Sequence, residues 1–314
     1  MRADHAPGVR TGSAGTLQWA IMTDAAPEPD LPPTDDYPAM VGPGATVRCG
    51  GSGAPADLAA ALRQVARGKL KCSATSQRPS EITTRVIARA LAGGDYYPDE
   101  AIASFAWPLL LLAGGLARLE GPWMRTTARG ASVLEDPRPE HIKGLWDRWL
   151  LKGPIDELMR VDAIRGQRKP GVLSAPTKRR AAAAAALERL PVGTWVAVDR
   201  WFDLARTLEP PLAVTRTPKA LWDLYVEDAE RGSLGYAAED LGPAGAWDVL
   251  EGRYLLCLAF EYAATLGLID VAYRDPEDAR EDFRGLWGTE NYRYLSRYDG
   301  LLAVRRNGFG TESH

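Results

Sequence analysis

The amino-acid sequence predicts a mainly α fold carrying small β-hairpins (α+β). Three observations point there. Apolar residues recur at helical spacing along most of residues 57–306. The strand-like runs are short and sit beside glycine-containing turns. Prolines and glycines crowd into residues 1–56, where Pro27, Pro29, Pro32, Pro33, Pro38, Pro43 and Pro55 leave little apolar surface to bury. The chain has 314 residues, 46% of them hydrophobic and 25% charged, enough for two or three domains with real cores.

Taken in order, residues 1–56 read as a disordered tail, with Met22 and Met40 as alternative start sites. Order is expected to begin near Asp57. Leu58, Leu62 and Val65 share one helix face that Gly68 stops, and Leu70–Ser73 reads as a short strand. Pro79 opens a helix that runs to Gly93, and a third helix spans about Asp99–Ala113. Leu116–Glu120 and Trp123–Thr126 flank a Gly121-Pro122 turn as a hairpin, and Thr127 begins a further helix. Helix, strand, helix, helix, hairpin, helix is the order of a winged helix, so 57–136 is assigned as a first winged-helix domain.

Residues 137–217 form a helical, second winged-helix-like domain. Helices are expected from His141, over Ile155–Ile164 and over Thr177–Leu190, the last containing six consecutive alanines. A strand over Thr194–Val198 follows, with Asp199 as N-cap of Arg200–Thr207. Residues 218–314 form a third winged-helix domain. A long helix over Ala246–Leu266 stops at Gly267, and strands Leu268–Tyr273 and Leu301–Arg305 flank an enlarged wing. No closing helix follows, which suggests a truncated end.

The runs Leu190–Asp199, Trp247 with Glu251–Leu255, Glu261, Leu266–Asp270, and Gly115–Leu119 with Arg125–Gly130 together resemble the multi-winged-helix domain that accompanies bacterial XPB-type helicases. The resemblance spans about residues 58–306. It implies tandem winged-helix units, a nucleic-acid-linked accessory role beside a separate motor, and no catalysis in this chain.

The residues themselves favour no enzyme. Gly68-Lys69 lacks the first glycine of a phosphate-binding loop, position 63 being Arg. Gly232-Ser-Leu-Gly is not a nucleophile elbow. His5, His141 and His314 stand at no metal-ligand spacing, and His141 reads as a capping or surface residue. Cys49, Cys72 and Cys257 form no CxxC pair; their sparse, odd number suits a reducing cytoplasm, and Cys257 reads as core. The acidic group Asp275, Glu277, Asp278, Glu281 and Asp282 reads as a solvated loop. No cofactor and no metal are expected. The longest apolar stretch, Phe105–Ala117, is too short to span a bilayer, so no membrane partner is expected.

Charge is uneven. Residues 1–57 hold three basic and seven acidic side chains, 58–180 hold 21 and 12, and 181–314 hold 14 and 22. Arg165, Arg168, Lys169, Lys178, Arg179 and Arg180 fall within Ala163–Leu187, which has no acid. Arg63, Arg67, Lys69, Lys71 and Arg78 make a second patch. Together with Arg125 and Arg129 they are the candidate nucleic-acid-binding residues, suited to non-specific contact with the DNA backbone. Sequence-specific reading is not expected, because the helices before the wings carry almost no base-reading side chains. Two further readings stay open: a scaffold that docks on a protein partner in a bacterial defence or mobile-element system, the basic face then meeting acid, and a regulator with a Trp/Tyr-lined ligand pocket.

Overall fold

Pro55 in the first turn and alanine or leucine at most positions from Ala54 onward build α1 (Ala54–Ala66), whose Leu58, Ala61, Leu62 and Val65 are buried. This is a computed structural model, and it describes residues 41–229, 232–277 and 279–308. The expectations for residues 1–40, Asp278 and residues 309–314 lie outside that range.

After α1 the chain extends along a wing. The N–H of Cys72 donates to Pro122 O at 2.8 Å and the N–H of Met124 to Leu70 O at 3.0 Å. The wing is β2 (Ala117–Glu120) and β3 (Trp123–Thr126), paired antiparallel with Glu120 opposite Trp123. Between α1 and the wing in sequence lie α2 (Glu81–Ala90) and α3 (Ala103–Ala113). Ser80 caps α2 by accepting the Thr83 N–H at 3.2 Å. The Asp95 carboxylate gathers the N–H groups of Ile102, Ala103 and Ser104 at 2.8–3.1 Å, satisfying the orphan donors at the start of α3. Thr127 caps α4 (Ala128–Glu135) through the Gly130 N–H. A Cβ at Gly130 would sit 2.0 Å from Leu116 O, so only glycine lets α4 close on the wing. His141 is a cap: its Nδ1 accepts the Arg138 N–H at 3.1 Å at the start of α5 (Pro139–Lys152).

Downstream, the expected helix over 155–164 shrinks to one 3₁₀ turn, Glu157–Arg160, followed by β4 (Ile164–Arg165). Glu157, Leu158 and Arg160 all turn inward, a demand a solvent-faced helix would not meet. The helix α6 (Pro176–Glu188) and strand β5 (Trp195–Ala197) agree with expectation within two or three residues. Asp199 is not an N-cap. The helix α7 (Val198–Arg206) starts before it, and its carboxylate instead accepts from Arg280 at 2.5 Å. A short strand β6 (Tyr225–Val226) pairs with β4.

The long helix, α8 (242–263), is not uniform. Gly242–Trp247 and Arg253–Cys257 are α-helical, whereas Asp248–Gly252 and Leu258–Ala263 are π-helical turns. Val249 through Ala264 are buried except for Glu251, so the helix is wrapped on nearly every side. Trp149 of α5 stacks on Tyr262 at 3.9 Å between ring centroids.

Strands β7 (Ile269–Tyr273) and β8 (Leu301–Arg306) pair as expected, but they belong to a four-stranded antiparallel sheet ordered β1-β7-β8-β5. Its first strand, β1 (Thr46–Arg48), comes from the stretch assigned to the tail and sets Val47 opposite Ala272. A strand of three residues among prolines and glycines has no period of its own; pairing with β7 creates it. The sheet thus joins a strand from the assigned tail to strands from the second and third assigned domains, while 57–136 contributes none. The molecule is α+β with small antiparallel sheets, and no helix among the described residues is long and apolar enough to cross a membrane.

Candidate functional site

The acid-free basic run at the start of α6 does not stay at the surface. Arg179 and Arg180 are buried, at 0% and 2% exposure. Arg179 pairs with Asp156, and Arg180 Nε donates to Glu157 Oε1 at 2.6 Å, with further bonds to the carbonyls of Gly153 and Ile155. Tyr254 completes this cluster by donating to the other Glu157 oxygen at 3.1 Å. Burial raises the Glu157 pKa against the pull of Arg180. These two arginines therefore hold the core together, and the expectation that they meet phosphates is corrected. Lys178 alone of the three is exposed.

A second interior cluster was not foreseen at all. Arg160 pairs with Glu261 at 2.8–3.1 Å and donates to Ala101 O, while the Tyr298 hydroxyl donates to Glu261. Arg253, fully buried, donates to Asp299 at 3.1 Å and bidentately to Asp282 at 2.6 and 2.8 Å. Asp282 is thus no solvated loop residue. Burial disfavours its charge, but Arg253 and Arg280 outweigh that and hold its pKa down to about 2. Asp275, Glu277 and Glu281 are exposed as expected.

The other cations remain outside. Arg63, Arg67 and Lys69 are exposed at the end of α1, and Lys71 lies 4.1 Å above the Trp123 ring. Arg125 binds Gly68 O at 2.9 Å and Glu120 at 3.4 Å, pinning α1 to the wing. Arg129 is exposed, one nitrogen donating to Gly114 O at 3.2 Å.

The structure brings the two patches together at one place. Arg78, from the turn before α2, shares a hollow of about 380 Å³ with Arg165, Arg168 and Lys169, from the turn after β4. Asp162 is the one acid in its lining. The second turn is rigidly built. Gln167 donates to the carbonyls of Leu158, Val161 and Ile164 at 2.5–3.2 Å. Gly166 has φ +87°, and a Cβ there would lie 1.9 Å from Asp223 O. Lys169 reaches Asp223 at 2.5 Å and Arg165 donates to Glu227 O at 3.2 Å, both at exposed positions that cost little to rearrange. Gly166→Ala is accordingly expected to lower unfolding free energy by about 1–2 kcal/mol and to displace this turn, read by urea denaturation and by amide shifts of 164–169.

Reactive chemistry is scarce on this surface. Burial raises the Cys72 thiol to about 12 and holds the Cys257 thiol well above its usual range, so neither is a thiolate. Cys257 is core as expected, its S–H directed to Glu157 O at 3.4 Å. Among the described residues no group of three or more His, Cys, Asp or Glu side chains is arranged to hold a metal ion. Comparison with protein-family models, curated proteins and solved structures finds no match to this chain.

Proposed function

We propose that this chain is a non-catalytic accessory protein of winged-helix units, which holds nucleic acid weakly through its phosphate backbone beside a separate motor of the XPB helicase kind. The observation that carries the reading is the meeting of Arg78 with Arg165, Arg168 and Lys169 in one hollow, from turns more than eighty residues apart. Cations that converge on a rigid frame release counterions from phosphates together. The order α1, extended wing strand, α2, α3, β2–β3 supports a winged helix in the first unit. Ala103–Leu111 of α3 is wholly buried, which leaves no helix face for a major groove and favours backbone contact. Arg63, Arg67, Lys69, Lys71, Arg129 and Lys178 extend the positive surface.

The test is salt-dependent binding to labelled DNA. Arg165→Glu with Arg168→Glu is expected to weaken binding roughly tenfold at low salt and to flatten the salt dependence by one to two phosphate contacts. Unchanged affinity and slope in that variant would reject the hollow as the site.

A protein-docking scaffold is the second reading. It is favoured by Trp222 and Tyr236, exposed at 51% and 40% and packed edge to face at 4.7 Å, since such aromatics anchor interfaces. It expects a stoichiometric partner on co-purification, and a Trp222→Ala variant that loses that partner.

A further inference from the structure

Beside the basic hollow lies a second one, of about 400 Å³, with a different lining. The two share Asp162, and each falls in the size range of small-molecule sites, about 300–1,000 Å³. The second is walled by the segment Asn291–Arg297 and by Glu100. Its cations are already engaged: Arg297 pairs with both Glu100 and Asp162, and Arg293 pairs with Glu277. Tyr292 gives its hydroxyl to Glu227 at 3.1 Å. Tyr294 differs from all of these. Its half-exposed ring lines the hollow with no hydrogen-bond, ring or cation partner among the described residues.

A cation-lined hollow beside one lined by a tyrosine that has no ring or cation partner among the described residues is the combination that single-stranded nucleic acid needs. Its phosphates follow cations, and its unpaired bases stack on aromatic rings. Duplex DNA satisfies only half of that, because its bases are already stacked on each other. We propose that the two neighbouring hollows bind single-stranded nucleic acid, phosphates against Arg78, Arg165, Arg168 and Lys169 and one base on Tyr294. The inference rests on the backbone-binding reading and narrows it to one strand form. Asp162 lines both hollows, paired with Arg297, and places a negative charge beside the strand's phosphates.

The test is fluorescence anisotropy of the full chain with a labelled ten-nucleotide oligothymidine, a duplex of equal length and a labelled poly-glutamate peptide, over a salt series. The single strand is expected to bind more tightly than the duplex. Tyr294→Ala should weaken the single strand about five- to a hundredfold with the salt slope unchanged, and Tyr294→Phe should retain binding. Asp162→Asn should tighten it, an outcome that a purely structural Asp162 would not produce. Equal affinity for duplex and single strand, with Tyr294→Ala neutral, would overturn this inference and leave general backbone binding standing. Retention of neither DNA at low salt would overturn both, and binding of poly-glutamate alone would assign the basic hollow to an acidic protein segment instead.

Discussion

Glu261→Ala is expected to lower the unfolding free energy by about 3–5 kcal/mol, the usual cost of leaving one half of a buried ion pair alone. Glu261 is fully buried, and two groups depend on it. Arg160 is 5% exposed and loses its carboxylate partner, keeping Ala101 O and the Phe105 ring 3.7 Å away. Burial opposes the Arg160 charge, and the Glu261 carboxylate is the main influence that overrides it. Tyr298 loses its acceptor. Tyr298→Phe alone removes one hydrogen bond and should cost about 1 kcal/mol. The pair Arg160→Met with Glu261→Leu removes both charges at once and should recover most of the loss, because no unpaired charge remains. Urea unfolding of the four proteins reads these differences directly. A single Glu261→Ala within about 1 kcal/mol of the parent would mean that Arg160 finds water or another acid, and the sealed network described here would be wrong.

What the sequence makes legible, and what it hides, follows from the range of each interaction. The elements of 57–136 are legible because their signals are local: a face at 3.6 spacing, Thr127 at a helix start, Gly121-Pro122 as a turn; Pro79, expected in the first turn, instead lies one residue ahead of the Ser80 cap. The strand over 46–48 is hidden because its partner lies more than two hundred residues away. The same reason misplaced Arg179 and Arg180. Counted along the chain they stand in an acid-free run, but folding sets them on Asp156 and Glu157, from the loop ahead of that run. The adjacent acids Asp156 and Glu157, at the start of an inward 3₁₀ turn, are the local hint. The Arg165–Lys169 turn is legible from Gly166 and Pro170, whereas nothing local announces that Arg78 lines the same hollow. Tyr294 stands in a run with Tyr292 and Tyr298, and nothing local in that run distinguishes which of the three has no polar partner.

Stability should fall as pH rises from about 4.5 to about 7, and Glu251 is the reason. Its carboxylate accepts the Val214 N–H at 3.0 Å and has no cation partner among the described residues. Burial pushes its pKa from 4.5 up to about 7, against a smaller downward pull from that N–H. Between those values the folded chain keeps a proton that the unfolded chain has released, so raising the pH favours unfolding. The full contribution is present below pH 4.5 and is lost as pH passes 7. At about 1.4 kcal/mol per pH unit, reduced because the residue is not wholly sealed from solvent, the loss is about 2–3 kcal/mol by pH 8. Asp282 acts at the other end. Its folded pKa of about 2 lies below the ordinary 3.8, so its stabilisation is present above 3.8 and lost as pH falls toward 2. The contributions of these two residues are both fully present only between about pH 3.8 and 4.5. Glu251→Gln keeps an acceptor for Val214 and cannot ionise. It should match the parent near pH 4.5, exceed it by about 2–3 kcal/mol at pH 8, and leave the acid limb unchanged. Parallel profiles for the two proteins between pH 4.5 and 8 would show that Glu251 ionises freely in the fold.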